Sequence, residues 1–126
     1  EVRYGRNSRV DILLEPAGDA PRRLVEVKNV HLVRTAGLAE FPDCVTTRGA
    51  KHLAELAAIA EAGEGAAMLY LVQRADAERL AIAADLDPGY AAAFAEARAR
   101  GVEVLAAGCT VRPDAIAVDR RLEILP

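Results

Sequence analysis

Two alternating segments joined by a turn-forming hexapeptide constrain this chain more than any other feature. Residues 9–15, in the run Ser8-Arg9-Val10-Asp11-Ile12-Leu13-Leu14-Glu15, read as one strand. Residues 23–33, centred on Leu24-Val25-Glu26-Val27-Lys28-Asn29-Val30, read as the next. Pro16-Ala17-Gly18-Asp19-Ala20-Pro21 between them is rich in turn residues. A hairpin folded about Gly18 and Asp19 pairs residues whose numbers sum to 37. Asp11 then faces Glu26, and Arg9 faces Lys28. Like charges directly opposed on a sheet are destabilising. A fold that keeps two carboxylates opposed gives them a positive charge to share, and a divalent cation is the direct candidate.

Side chains alternate between sheet faces. Val25 and Val27 therefore point one way, and Leu24, Glu26 and Lys28 the other. On the first strand Val10, Ile12 and Leu14 oppose Arg9, Asp11 and Leu13. The period of two predicts one apolar face and one charged face.

The rest of the chain extends this sheet. Val2-Arg3-Tyr4-Gly5 reads as a short strand, and an opening inside a strand leads us to expect a longer parent chain. Residues 34–44 contain Gly37 and Pro42 and read as a loop. Thr46 or Thr47 caps a helix over residues 48–62 that stops at Gly63. Leu53, Leu56, Ala57 and Ala60 form its core stripe. Arg48, Lys51, His52 and Glu55 cluster roughly 130° away, at about 100° per residue, where they overhang the sheet. Residues 66–73 are almost continuously apolar, as in a buried central strand. Asp87-Pro88 supplies a cap and first-turn proline for a helix over residues 88–100, ended by Gly101. Residues 102–106 form a further buried strand and complete a β-α-β unit. Residues 110–125 read as a short hairpin of edge strands turned at Arg112-Pro113-Asp114. The expected fold is one α/β domain over residues 1–126, a mixed sheet flanked by helices.

Composition narrows the function. A length of 126 residues suits one core, and 52% hydrophobic residues can fill it. Aromatics are only 4%, so base-stacking surfaces cannot dominate a nucleic-acid contact. No apolar run approaches the ~20 residues that span a bilayer. Cys44 and Cys109 belong to no metal-ligand cluster and read, like His31, as structural, and a cytoplasmic protein is expected. Net charge is −3, which argues against indiscriminate coating of DNA. The balance is +2 through His52 and −5 beyond it, so the basic share lies with the two opposed acids.

Asp11, followed on the next strand by Glu26-Val27-Lys28, has the spacing of a D…ExK site. Asp11 and Glu26 offer carboxylate oxygens to Mg²⁺ or Mn²⁺, and the Val27 carbonyl is a further oxygen. Lys28 emerges on the face of Glu26, where its ammonium can position water or neutralise a phosphorane. Arg9, Arg48, Lys51 and His52 are candidate phosphate contacts. Asp43, from the loop, and Glu1, upstream, are candidate accessory acids. Metal-assisted phosphodiester hydrolysis suits this set of groups. The competing structural reading is a polar sheet face with a solvent-facing Glu-Lys pair.

The arrangement resembles the PD-(D/E)xK nuclease superfamily, although Val10 rather than proline precedes the first acid. A narrower resemblance rests on four blocks in order: Asn7-Ser8-Arg9-Val10-Asp11, Val25-Glu26-Val27-Lys28-Asn29-Val30, Phe41-Pro42-Asp43-Cys44-Val45-Thr46 and Arg48-Gly49-Ala50-Lys51-His52-Leu53. Together with the later Arg100-Gly101-Val102-Glu103-Val104-Leu105, these are similar to the sugar fermentation stimulation protein A family. That resemblance implies a restriction-endonuclease-like domain, preceded in family members by an OB-like N-terminal domain. It also implies DNA as partner and an association with the regulation of sugar metabolism. Two other readings stay open: a catalytically silent DNA-binding regulatory protein, and a metal-dependent hydrolase of small phosphate esters.

Overall fold

In the computed structural model, which describes residues 2–4 and 8–126, the chain forms ten strands and two helices. They follow in the order β1 (Val2–Tyr4), β2 (Ser8–Val10), β3 (Ile12–Leu14), β4 (Arg23–Val30), β5 (Leu32–Thr35), β6 (Gly37–Phe41), α1 (Thr47–Glu61), β7 (Gly65–Val72), β8 (Ala77–Ile82), α2 (Pro88–Ala99), β9 (Glu103–Arg112) and β10 (Ala115–Ile124). β1 and β2 pair with each other, and the other eight strands form one mixed sheet in the order β3-β4-β7-β9-β10-β8-β6-β5.

The hairpin register is the expected one. Ile12, Leu13 and Leu14 pair with Val25, Leu24 and Arg23. The ladder stops there, because the Asp11 carboxylate takes the next free donor on β4: the Val27 N–H donates to Asp11 Oδ2 at 2.8 Å. The chain bends at Asp11, and β2 runs against β1 instead of β4. Arg9 consequently stands opposite Arg3, not opposite Lys28.

This break also reverses the expected faces. The side of β4 that carries Leu24, Glu26 and Lys28 is the covered one. It continues through Ala66, Met68 and Tyr70 of β7. Val10 is buried on β2, whereas Ile12 and Leu14 are exposed. Both helices lie on the covered face: His52 of α1 reaches Glu26, and Tyr90 of α2 bonds the Tyr70 hydroxyl at 2.5 Å. Phe41 of β6 packs 5.5 Å from the Tyr70 ring.

Other expectations need correction. Residues 34–44 are mostly a hairpin rather than a loop, with Gly37 at φ 77° supplying the left-handed turn residue between β5 and β6. The strand read over 23–33 breaks at His31, and its second part pairs with β6 at the far edge. β8 was not assigned from sequence. It lies parallel to both β6 and β10, so β10 is an interior strand and not an edge.

The helices follow the sequence closely. Thr46 caps α1 through Gly49 N–H, and Leu53, Leu56 and Ala57 of the stripe are buried. Asp87 caps α2 by accepting from Tyr90 N–H at 2.9 Å. Its other oxygen accepts from Thr46 N–H at 2.8 Å, so one carboxylate joins the starts of both helices. At Gly49 an added Cβ would stand 2.8 Å from the Thr46 methyl and 3.0 Å from the Tyr90 ring, which explains the missing side chain at this close approach.

These donors hold the Asp87 carboxyl below the ordinary carboxylate range. A depressed carboxyl stabilises the fold fully above the unfolded pKa of about 4 and loses that contribution as pH falls through its folded value. Asp87→Ala is expected to lower the thermal midpoint at pH 7 by about 4–8 °C, with Asp87→Asn recovering much of the loss. Melting curves at pH 7 and below pH 3 check this, and the gap between wild type and Asp87→Ala should narrow in acid.

Candidate metal and phosphate site

The mouth of the site is a cavity of about 330 Å³ lined by Ser8, Arg9, Asp11, Glu26, Arg48, Lys51 and His52. Three structural decisions build it. The bend at Asp11 turns β2 across the covered face and brings Ser8 and Arg9 to one wall. β4 supplies the floor through Glu26. α1, fixed at its start by Thr46 and Asp87, supplies Arg48, Lys51 and His52 from successive turns.

Glu26 is the centre of the polar contacts. It is only 3% exposed. Burying a carboxylate without partners is costly. Its Oε1 accepts from Lys28 Nζ at 2.9 Å and lies 2.7 Å from His52 Nδ1. Lys28 Nζ and His52 Nδ1 are themselves 3.1 Å apart. Both converge on one acceptor, so the consistent arrangement has Nδ1–H and Nζ–H each donating to Oε1. Glu26 Oε2 is buried and has no hydrogen-bond partner among the described residues. His52 is 4% exposed, so it acts on Glu26 from within the core rather than extending to solvent.

Asp11 is exposed and is steered by the Val27 N–H. The structure thus brings Asp11, Glu26, Arg9, Arg48, Lys51 and His52 around one cavity, with Lys28 behind Glu26. Lys51 also lies 3.7 Å from Glu55 one turn on. It does not bring Asp43 there: that residue is exposed beside Cys44 and outside the cavity lining, because the 42–46 segment runs toward Asp87 instead. Glu1, and Asn7 of the first sequence block, lie outside the described residues.

Three neighbours escaped the sequence reading as site residues. Ser8 is buried at the cavity wall. Tyr4 is buried, and its hydroxyl has no hydrogen-bond partner among the described residues. Burial, then the nearby charges of Glu26, Glu55 and Asp11, push its ionisation far upward, so the hydroxyl stays protonated. Glu55 belongs to this carboxylate group from the α1 side. The alternation of Val2-Arg3-Tyr4 marks Tyr4 as inward-facing, but nothing local shows what it meets.

Among the described residues no cluster of three or more His, Cys, Asp or Glu side chains is placed to hold a metal alone. Mg²⁺ does not need one, since it keeps waters and commonly binds one or two carboxylates plus substrate phosphate. The orphaned Glu26 Oε2, with Asp11 lining the same cavity, fits that habit. No helix among the described residues is long and apolar enough to cross a membrane.

Comparison with known proteins identifies the family and the fold. Residues 1–115 match the model of the sugar fermentation stimulation protein RE domain. The chain is 60% identical over 126 residues to a sugar fermentation stimulation protein homolog of Rhodospirillum centenum, covering 98% of this chain and 53% of that protein. It is 60% identical over 118 residues to the Agrobacterium fabrum homolog, covering 94% and 49%. The chain therefore spans about half the length of the curated relatives it matches. A solved structure of Pyrococcus furiosus SfsA in complex with Ca²⁺ superposes with a TM-score of 0.90 at 29% identity, over 100% of this chain and 53% of that one. With its mixed, restriction-endonuclease-like sheet and these matches, the chain belongs to the sugar fermentation stimulation protein family, as its RE domain.

Proposed function

We propose that this domain binds DNA and hydrolyses phosphodiester bonds with Mg²⁺ or Mn²⁺. One observation carries the reading: a buried carboxylate keeps one oxygen without a partner in a cavity that also holds Asp11 and the cations Arg9, Arg48 and Lys51. Two acids suit a hard cation, and three cations suit a phosphate. The Pyrococcus relative was solved in complex with Ca²⁺, a hard cation of the class that carboxylate oxygens bind.

Asp11, Glu26 and the Val27 carbonyl would hold the ion. When bound, it supplies Lewis-acid stabilisation of phosphoryl charge and a more acidic water. Lys28 and His52 grip Glu26 Oε1, so Oε2 would be the oxygen left to ligate an ion. The Val27 N–H does the same for Asp11. Lys28, behind Glu26 and outside the cavity lining, would add positive charge that favours the attacking water or the developing phosphorane. Arg9, Arg48 and Lys51 neutralise the phosphate and orient the strand. In the longer relatives, an OB-like domain adjoining this one would add DNA affinity that a chain of net charge −3 supplies poorly.

Plasmid and oligonucleotides incubated with Mn²⁺ should be cleaved by the wild type and left intact by the Asp11→Ala, Glu26→Ala double variant. Cleavage surviving in that variant would remove both residues from catalysis. Salt-dependent binding with no cleavage under any divalent cation would favour the silent regulatory reading. Turnover of a nucleotide or sugar phosphate, with none of a polymer, would favour the small-ester hydrolase.

His52 is expected to act through Glu26. His52→Ala should therefore reduce cleavage roughly 10–100-fold and raise the Mn²⁺ concentration needed for half-maximal rate. DNA affinity without metal should remain near the wild-type value. Arg48→Ala should instead weaken binding and reduce the log–log salt slope by about 1. Filter binding across a salt series separates the two effects.

A further inference from the structure

The β1–β2 ribbon sets two arginines in direct opposition. Arg3 pairs with Arg9, between the pairs Val2–Val10 and Tyr4–Ser8. The ribbon is a two-stranded sheet of its own, and such ribbons are marginal without support. Tyr4, Ser8 and Val10 supply that support by burial, whereas Arg3 and Arg9 are exposed. Alternation explains the division, because an opposed pair shares one face and its neighbours take the other. Like charges directly opposed lower the stability of a sheet. No acid occurs among the described ribbon residues, Val2–Tyr4 and Ser8–Val10, to offset the repulsion. Among all the described residues, the Arg3 guanidinium has no hydrogen-bond or ion-pair partner.

The place of Arg3 decides what it can hold. Arg9 lines the cavity together with Arg48 and Lys51, and Arg3 lies outside that lining. A single phosphoryl group in the cavity is therefore served by three cations without it. Opposed residues of an antiparallel pair have Cα atoms about 4.5–5.5 Å apart. A polynucleotide presents one phosphate per ~3.4 Å of helix axis on each strand. Two arginine side chains rooted so close together can reach neighbouring phosphates of one strand. The guanidinium fork matches phosphate oxygens in geometry as well as charge. With a net charge of −3, the chain must rely on local basic features of this kind to hold a polyanion.

We propose that Arg3 binds the phosphate flanking the one held in the cavity, so that the ribbon clamps a polynucleotide strand through Arg3 and Arg9. The assignment rests on reading the cavity as a phosphodiester site. It deepens that reading, because a small ester with one phosphoryl group leaves nothing for Arg3 to hold.

Fluorescence anisotropy of a labelled DNA duplex, over a salt series and without divalent cation, tests the clamp. Arg3→Ala should weaken binding about 3–10-fold at ~100 mM salt and reduce the log–log salt slope by about 1. Arg3→Lys, which keeps the charge, should retain the slope. Arg112→Ala removes the same charge from a side chain 67% exposed at the turn between β9 and β10, and it should bind like the wild type. The thermal midpoint of Arg3→Ala should not fall below that of the wild type, since the change removes a repulsion from an exposed position. An Arg3→Ala variant that binds like the wild type, or loses no more affinity than Arg112→Ala, overturns the clamp even where Arg48→Ala binds weakly and the cavity reading stands. A wild type that binds no DNA overturns both.

Discussion

The site depends on one buried carboxylate. Glu26 sits beneath α1 with almost no access to solvent, and its charge must be compensated there. Lys28 from its own strand and His52 from the helix both reach Oε1. That compensation uses only half of the group. The second oxygen is left buried and unclaimed among the described residues, beside a cavity walled by Asp11 and three cations. Removing one partner of such a buried group is far more costly than the same change at the surface. Helix placement, strand register and the site's chemistry therefore converge on this residue.

The backbone around it serves the same end. Asp11 breaks its strand by bonding the Val27 N–H, and that break redirects β2 over the covered face with Ser8 and Arg9. Asp87 joins the first turns of both helices, which sets where Arg48, Lys51 and His52 stand above β4. Neither acid belongs to the sheet's ladder of hydrogen bonds through its side chain, yet each decides how an element enters the site.

Local chemistry made much of this legible. The turn residues and two alternating runs gave the observed register of Ile12–Leu14 against Arg23–Val25, while Asp11 and Glu26 fall just beyond that ladder. Asp87-Pro88, Thr46 and the Leu53, Leu56, Ala57 stripe located both helices to within a residue or two. What escaped was set by distant parts of the chain. β8 is short and stabilised by parallel neighbours from β6 and β10, which no local period reveals. Gly37 punctuates a hairpin as readily as a loop, and pairing of β6 with the distant β8, with Phe41 packed on Tyr70, holds the hairpin form. Arg9 was misplaced because alternation assumed an unbroken strand, while a side chain had replaced a backbone partner. The role of His52 as a donor to Glu26 depends on the helix lying over β4, so helical position alone suggested only a phosphate contact. Asp43 looked suitable by proximity in sequence and is carried away by the segment leading to α1.

The central claim is that Asp11 and Glu26 share a divalent cation. Anomalous diffraction from Mn²⁺-soaked crystals tests it most directly. The account predicts one strong peak within about 2.0–2.4 Å of an Asp11 oxygen and of Glu26 Oε2, lost in Glu26→Gln. A cavity with no peak at saturating Mn²⁺, or a peak that persists unchanged in Glu26→Gln, would contradict it.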